Sequence, residues 1–403
     1  MWDKYSVGDL CETISDTYHR HDENVILINT SDVLEGKVKN HQKVKNTNIK
    51  GQFKKTFRKN DILYSEIRPA NKRYAFIDFD DTEQYIASTK LMVLRAKEQI
   101  VLPRFLLAFL SSKPIIAKLQ QLAETRSGTF PQITFSSEIA PLPILVPDLK
   151  TQEHIIDFLG CLDDKIEVNK KINDTLEKIA LAIFRYNFVD YIPYGGSSPS
   201  EWKKVSLNDV CVKITDGSHY SPKDSPGSPY PMFSVKDMEP YGFNHSSCKH
   251  ITRDEFLKME RNDCVPRYND ILIAKDGSYL KEIFICSKEK KEAILSSIAL
   301  FRPNLEVVTP EHLLFFLKQP SIKKDVGDNY VSGSALPRIV LKDFKKYTFV
   351  VPPLSEQLKI NPLLNAIRMQ INANIDEINT LTQIRELLLP RLISGELQLP
   401  SEI

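Results

Sequence analysis

The strongest chemical signal in the sequence lies at residues 36–60, where nine cations occur without a single carboxylate. They are Lys37, Lys39, Lys43, Lys45, Lys50, Lys54, Lys55, Arg58 and Lys59. The amides of Asn46 and Asn48 stand among them, and Arg68, Lys72 and Arg73 follow closely. Cations neutralise phosphates, and amides hydrogen-bond base edges. A solvated basic surface is the ordinary alternative, but the missing carboxylates favour a DNA-contacting surface.

Two Asp-Gly turns and two Ser-Gly loops form a second group of candidate contacts. In the turns, at residues 216–223 and 275–281, the predicted DNA contacts are Ser218, His219, Tyr220, Lys223, Lys275, Ser278, Tyr279 and Lys281. In the loops, the predicted phosphate contacts are Arg126, Ser127, Gly128, Thr129, Ser332, Gly333 and Ser334. The simpler alternative is that these segments are only tight turns, because Asp, Gly and Ser favour such backbones.

Catalytic chemistry has little support in the sequence. It contains no signature of amino-methyltransferases and no G-x-G-x-x-G, G-x-x-x-x-G-K-[ST], H-E-x-x-H or G-x-S-x-G motif. A nuclease-like pattern starts at Pro147-Asp148 and resumes at 163–165, but its second half falls on a helix. The six cysteines show no metal-ligand spacing and are expected to be buried free thiols. We therefore expect neither a catalytic centre, nor a metal, nor a cofactor in this chain.

The elements that must position the candidate contacts occur twice along the chain. Asn60-Asp61-Ile62-Leu63 corresponds to Asn269-Asp270-Ile271-Leu272, and a short helix that begins with Pro103 corresponds to one that begins with Pro310. Each Ser-Gly loop follows such a helix and ends in Pro. Short strands without regular strand-helix alternation favour twisted, mainly antiparallel sheets. The duplication predicts two similar globular heads.

A long helix follows each head, at residues 151–190 and 356–394. In both, apolar residues recur at alternating spacings of three and four, which gives a narrow seam suited to one partner helix. We expect the two helices to pair with each other in antiparallel orientation. Asn169 and Asn374 interrupt the seams near the helix midpoints, and the sequence predicts that they bond each other and fix the register.

Composition sets the class of protein. The chain has 403 residues, 42% hydrophobic content and a net charge of +2, enough for two cores and too neutral for DNA binding without local patches. No run of 18 apolar residues and no signal region is present, so we expect a cytoplasmic protein. The predicted fold is α+β, with two similar heads separated by two long antiparallel coiled-coil helices and an internal pseudo-two-fold axis. The predicted segments are 1–150, 151–190, 191–354 and 355–403.

These features together resemble one known family, the specificity subunits of type I restriction-modification systems. The resemblance covers nearly the whole chain and rests on the tandem heads and on a Pro-x-Leu-x-x-Gln motif at the start of each long helix. The motif residues are Pro147, Leu149, Gln152, Pro352, Leu354 and Gln357. Runs at 165–169, 176–180 and 388–397, the segment 216–219 and Ser221-Pro222 are also similar to that family.

The resemblance implies that residues 1–150 and 191–354 are target-recognition domains, each reading one half of a bipartite site in double-stranded DNA. It implies that the helices set the spacing and dock two modification subunits, with restriction subunits joining through the complex. S-adenosylmethionine and ATP would then belong to the partner subunits. A DNA-cleaving or DNA-modifying enzyme and a scaffold that binds no DNA are the alternatives. One departure is Pro362, where the second long helix is expected to start or kink.

Overall fold

A computed structural model describes residues 2–20, 22–47, 49, 51–126, 131–246, 248–333 and 335–400. The chain divides into two compact units, unit 1 formed by Met1–Glu167 with Asn379–Ile403 and unit 2 formed by Val168–Ile378. Each unit contains one head and one half of each long helix. Within the described ranges, no helix combines the length and the apolar character that crossing a membrane requires.

The first head and the helix that follows it consist of short strands and a few helices. In chain order they are β1 (Asp3–Ser6), α1 (Val7–Leu10), β2 (Cys11–Ile14), β3 (Asn24–Ile28), β4 (Val33–Leu34), β5 (Lys37–Val38), β6 (Val44–Lys45), β7 (Phe53–Lys55), β8 (Ile62–Ser65), β9 (Tyr74–Phe76), β10 (Tyr85–Ser88), β11 (Leu91–Ala96), α2 (Pro103–Leu110), α3 (Lys113–Arg126), β12 (Pro143–Val146) and α4 (Leu149–Phe188). Short 3₁₀ turns and one π-helical turn, Phe135–Ile139, connect some of them.

The second head repeats this order with small changes. Its elements are β13 (Lys203–Ser206), α5 (Leu207–Val210), β14 (Cys211–Asp216), β15 (Pro231–Phe233), β16 (Met238–Glu239), β17 (Gly242–Phe243), β18 (Lys249–His250), α6 (Arg253–Arg261), β19 (Ile271–Ala274), β20 (Ile283–Ile285), β21 (Ala293–Ile294), β22 (Ile298–Pro303), α7 (Pro310–Leu317), α8 (Pro320–Asn329), β23 (Val331–Ser332), β24 (Arg338–Ile339), α9 (Leu341–Phe344), β25 (Thr348–Val351) and α10 (Leu354–Ile393).

Strand order confirms the predicted duplication. An antiparallel sheet runs β2-β11-β8-β9 in the first head and β14-β22-β19-β20 in the second. A second sheet places β3 beside β10 in parallel, as β15 lies beside β21 in parallel, and the other pairs are antiparallel. The small pairs β1-β12 and β13-β25 also correspond. The predicted α+β class, with sheets that are mainly antiparallel, is therefore confirmed.

A buried ion pair recurs at the start of the first sheet in each head. The Asp61 carboxylate accepts two hydrogen bonds of 2.8 Å from the Arg95 guanidinium on the neighbouring strand. The Asp270 carboxylate accepts two bonds of 2.8 and 2.7 Å from Arg302. Both aspartates belong to the Asn-Asp-Ile-Leu motif, so the sequence repeat corresponds to a repeat of contacts. Bidentate pairs of this kind fix one geometry.

The glutamine of each Pro-x-Leu-x-x-Gln motif anchors a head to its helix. Gln152 Oε1 accepts from the Leu102 N–H at 2.7 Å, and its amide donates to the carbonyls of Ile100 and Pro147. Gln357 makes the corresponding three bonds. Its Oε1 accepts from the Thr309 N–H, and its amide donates to the carbonyls of Val307 and Pro352. Both side chains are buried.

Within each unit the halves of α4 and α10 pack in antiparallel orientation. In unit 1, Ile155 and Leu159 share a core with Leu389 and Leu392. In unit 2, Ala180 and Phe184 of α4 share a core with Leu364, Ile367 and Ile371 of α10. Both long helices thus contribute residues to the hydrophobic core of each unit.

Two expectations about the helices and thiols need correction. The second long helix begins at Leu354, so it does not start at Asn361-Pro362, and Pro362 lies inside it. The cysteines are free, but only Cys11, Cys211 and Cys264 are buried, whereas Cys161 is exposed on α4. The helical period places Cys161 away from the seam.

Candidate nucleic-acid interface

The basic stretch of the first head forms exposed short strands and loops. β6 pairs with β3 and β7 pairs with β10, so the stretch supplies the strands at the two opposite edges of the second sheet. Five cations of the stretch are exposed and have no carboxylate partner among the residues that the structure describes, namely Lys39, Lys43, Lys45, Lys54 and Arg58. Asn46 is held in place because its amide donates to the Asp22 carbonyl at 2.9 Å.

Other cations of the stretch already have partners. Lys37 pairs with Glu167 at 2.8 Å, and Lys59 pairs with Asp80 at 2.9 Å. Lys55 is half-buried and donates to the Leu91 carbonyl, and burial lowers the pKa of its ammonium. The contact predicted for Lys55 does not fit this position, because its ammonium supports the sheet. Asn48 and Lys50 lie outside the described residues.

The cations after β8 differ in their availability. Arg68 is exposed and has left-handed backbone at φ 45°, a conformation that non-glycine residues adopt rarely. Lys72 pairs with Glu35 at 2.9 Å, and Arg73 donates to the backbone carbonyl of Ser31. Arg68 therefore offers a guanidinium to a ligand, whereas Lys72 and Arg73 hold the local structure together.

Arg126 is engaged by a carboxylate just before the first Ser-Gly loop. Its guanidinium lies 3.1 Å from Glu138, which also accepts from the Thr134 N–H. The predicted contacts Ser127, Gly128 and Thr129 lie outside the described residues. The loop's far end is fixed, because the Arg68 N–H donates to the Pro131 carbonyl at 3.1 Å.

In the second head the structure brings together the two Asp-Gly turns and the Ser-Gly loop, which are far apart in the sequence. The Gly277 N–H donates to the Pro337 carbonyl at 2.7 Å, which joins the second Asp-Gly turn to the Ser-Gly loop. The Lys275 N–H donates to the Ser297 carbonyl at 3.0 Å. The Ser296 N–H in turn donates to the Ser218 carbonyl at 2.9 Å, which adds the first Asp-Gly turn. We call this meeting point the three-loop junction.

Charged side chains cross-link the three-loop junction. The Lys275 ammonium lies 2.5 Å from Asp216 Oδ2 and 3.9 Å from Asp276 Oδ1, and its side chain is only 6% exposed. Arg338 Nε lies 3.2 Å from the same Asp276 oxygen. The prediction that Lys275 contacts DNA does not fit a buried ammonium. Arg338 was missed because nothing in the local pattern connects it with a turn so much earlier in the chain.

The remaining predicted residues of the second head differ in their exposure. His219, Tyr220, Lys223, Ser278 and Lys281 are exposed. Ser218 has a structural role, since its hydroxyl accepts from the Tyr220 N–H, and Tyr279 is half-buried. Ser332 and Gly333 are exposed at the hairpin of β23 and β24, and Ser334 lies outside the described residues.

Gly217 shows why the first Asp-Gly turn needs glycine. A Cβ atom there would lie 2.2 Å from the Ile294 carbonyl oxygen, whereas the backbone itself donates to the Ile298 carbonyl. Any other residue would push the turn away from the sheet. The glycine of this Asp-Gly pair is therefore a packing requirement.

The two seam asparagines are buried, but they do not bond each other. The Asn374 amide donates to Asn173 Oδ1 at 2.7 Å, and the Asn169 amide donates to Glu377 at 2.8 Å. The prediction of a direct Asn169–Asn374 pair is wrong, because the observed register joins Asn374 to the asparagine one helical turn further along α4.

The nuclease-like residues do not converge. Asp148 caps α4 through Thr151, with bonds to its N–H and hydroxyl, and these bonds lower the pKa of Asp148. Asp163 contacts Arg385 at 2.5 Å on the helix pair. Among the described residues, His, Cys, Asp and Glu form no group of three that could hold a metal ion.

Comparisons with known proteins match the duplicated architecture. The family model of the type I restriction modification DNA specificity domain matches twice, at residues 1–178 and 199–383. The HindI specificity subunit of Haemophilus influenzae is 32% identical over 459 aligned positions, covering 98% of this chain and 99% of that protein. The MjaIX specificity subunit of Methanocaldococcus jannaschii is 26% identical, covering 67% of this chain and 64% of that protein.

A solved structure agrees in fold. The type I restriction-modification S subunit from M. genitalium aligns with a TM-score of 0.51 and 15% identity, covering 98% of this chain and 96% of that chain. The family match over both halves and the full-length HindI relative carry the assignment. The chain belongs to the DNA specificity subunits of type I restriction-modification systems, the non-catalytic components of those enzymes.

Proposed function

We propose that each head reads one half of a bipartite site in double-stranded DNA and that the paired helices set the spacing between the halves. In this proposal the complex contains two modification subunits that dock on the helices and restriction subunits that join through them. S-adenosylmethionine and ATP are bound by those partners, and the complex acts in the cytoplasm. The segments 1–150 and 191–354 act as target-recognition domains.

The observation that carries the proposal is that one backbone frame holds different side chains in the two heads. The Arg68 N–H donates to the Pro131 carbonyl as the Gly277 N–H donates to the Pro337 carbonyl. The Ile133 N–H donates to the Glu66 carbonyl, and the Ile339 N–H donates to the Lys275 carbonyl.

The side chains on this shared frame are not shared. Glu66 stands where the second head has Lys275, and Gln132 stands where it has Arg338. Two readers of different base sequences need such an arrangement, because base edges are distinguished by donor and acceptor placement while the scaffold can stay constant.

The exposed cations of the first head supply affinity in this proposal. Lys39, Lys43, Lys45 and Lys54 are exposed and have no carboxylate partner in the described structure. Phosphate contacts fix the protein on the duplex and carry no sequence information of their own. Arg68, His219, Tyr220, Ser278 and Lys281 are then candidates for groove or phosphate contacts near the loops.

The buried amides of the helix pair support the spacing role. Asn173 bonds Asn374, and Asn169 bonds Glu377, beside the apolar side chains of Ile367 and Ile371 in the same core. A shifted register would leave these polar groups unpaired among apolar side chains, which penalises every alternative alignment. We propose that this pairing keeps the distance between the half-sites constant.

Methylome sequencing of cells that carry this chain with its modification subunit tests the proposal. A bipartite methylated motif with a constant spacer is expected. Exchange of the first head for that of a relative, with a junction near Pro147, is expected to change one half of the motif and to leave the other half and the spacer intact. A motif without two separate halves, or a change of both halves after the exchange, would refute it.

A further inference from the structure

We propose that Lys275 and Asp276 are positioning residues for base reading by the second head, and that Arg338, which they hold, is a specificity-determining DNA contact. This inference rests on the proposed function, since it requires that the second head reads its own half-site. It concerns a chain of ionisable side chains, called the charge chain below, that runs from His219 through Asp216, Lys275 and Asp276 to Arg338 and that the sequence pattern does not show.

Lys275 binds the segments of the three-loop junction through three of its groups. Its N–H donates to the Ser297 carbonyl, its carbonyl accepts from the Ile339 N–H, and its ammonium pairs with Asp216 at the end of β14. One residue thereby connects four segments that are far apart in sequence. Movement of any of these segments would break at least one of the bonds.

The charge of Lys275 is not explained by stability. A buried ion pair pays a desolvation cost that roughly cancels its attraction, and apolar replacements are often neutral or stabilising. A residue that only filled space here would therefore be apolar. Because a pair of buried opposite charges accepts few geometries, its effect is to hold the loops in one arrangement.

The charge chain ends at the surface on both sides of the junction. His219 Nε2 lies 3.4 Å from Asp216 Oδ1, and the His219 side chain is 78% exposed. At the other end the Arg338 side chain is 55% exposed, and Nε faces Asp276. The ion pair with Asp276 restrains the Arg338 guanidinium near the junction, and its terminal nitrogens suit the O6 and N7 acceptors of guanine.

The first head supports this interpretation with a different set of charges at the same place. Lys90 lies 3.5 Å from Glu66 and donates to Gln132 Oε1 at 3.2 Å. This ion pair joins the Glu66 segment to the Lys90 segment, which is the counterpart of the Ser297 segment, whereas the ion pair of Lys275 reaches Asp216 at the end of β14. A cross-link is kept at both junctions while the outward side chain changes from Gln132 to Arg338.

The test uses the full chain assembled with its modification subunits and a set of duplexes in which each position of both half-sites is varied. Methylation rates give the preference for the native base over the other three at each position. A single wrong base pair costs roughly 5- to 150-fold in sites of this kind. We expect R338Q to lose about 10-fold or more of this preference at one base pair of the second half-site, and K275M to lose it at several.

Control variants distinguish a positioning role of Lys275 from a general loss of structure. The variant K275R, which keeps the charge, is expected to retain more preference than K275M, and E66Q is expected to relax only the first half-site. If R338Q slows all duplexes equally, Arg338 contacts phosphate and the inference is wrong. If K275M lowers preference equally at both half-sites, or leaves the second unchanged, the positioning role is refuted.

A failure of the proposed function gives a different result. In that case the chain without substitutions already shows no base preference at two separate half-sites. If K275M does not fold, R338Q and Asp276→Asn still decide the question, since Arg338 is exposed and Asp276→Asn keeps the volume of the side chain.

Discussion

Replacement of the buried glutamine at the start of either long helix should lower the free energy of unfolding of the unit that contains it. Gln152 is fully buried and makes three hydrogen bonds, of 2.7, 2.9 and 2.8 Å, to backbone groups of the first head and of the segment before α4. Gln152→Leu keeps the approximate volume and removes all three. Each buried backbone group left unpaired costs about 1–3 kcal/mol.

The sum can be bounded from these bonds. Three unpaired groups cost about 3–9 kcal/mol, and burying an apolar side chain in place of an amide returns about 2–3 kcal/mol, so the free energy of unfolding should decrease by about 1–6 kcal/mol. For a unit of this size, each kcal/mol lowers Tm by about 2–4 °C. Gln152→Leu should thus lower the unfolding midpoint of unit 1 by roughly 2–24 °C.

Calorimetry of the single variants measures this effect. Gln152→Leu should move the transition of unit 1, and Gln357→Leu should move that of unit 2, because each glutamine contacts only its own unit in the bonds described. His154→Leu, at an exposed position beside Gln152, is the control and should change stability by no more than about 0.5 kcal/mol. A decrease below about 1 kcal/mol for both glutamine variants would refute the anchoring role.

Three further predictions concern DNA affinity, register and pH. When Ala replaces Lys39, Lys43, Lys45 and Lys54, the log-log salt slope of DNA binding should fall by about 0.9 for each phosphate that is no longer neutralised. Leu at both Asn173 and Asn374 should keep or raise Tm while relaxing discrimination between sites whose spacers differ by one base pair. Burial against Phe184 and Phe188 lowers the pKa of His312 to about 3. The unfolded chain alone takes up this proton below pH 6.5, so stability should fall by about 2 kcal/mol between pH 7 and 5, and His312→Met should remove that decrease.

Each of these predictions has a matched control. Ala at the exposed Lys323 and Lys324 should leave the salt slope unchanged, and an equal fall in both variants would contradict a dedicated surface. Leu at the exposed Asn379 should leave spacer discrimination intact, and unaltered discrimination in the Asn173 and Asn374 variant would rule out the register role. For His312, the control is Met at the exposed His154, and a parallel pH dependence of both variants would contradict the linkage.

The duplication made most of the fold predictable. Asn60-Asp61-Ile62-Leu63 and its counterpart predicted strands that the structure shows as β8 and β19, since an Asx turn before an apolar run is a local signal. The long helices were predicted to within a few residues for the same reason. The expected helix start at Pro362 was wrong because α10 has already formed two turns before it.

The candidate site was less predictable because its bonds join distant positions. Lys275 and Asp216 are 59 residues apart, and a lysine beside an Asp-Gly turn has the same local pattern whether it is buried or exposed. The predicted register of the helix pair was wrong by one turn for a related reason. Asn169 and Asn173 occupy the same seam, and periodicity alone cannot choose which of them meets Asn374.

The division of α4 and α10 between the units has a consequence for synthesis on the ribosome. Unit 2 is one continuous segment, whereas unit 1 needs the last part of the chain, because Leu389, Leu392 and Ile393 belong to the core of the first head. Translation therefore delivers the first head long before its core can close. The usual order, in which amino-terminal domains fold first, should be reversed here. We expect the nascent first head to complete its core only after the final helix leaves the exit tunnel.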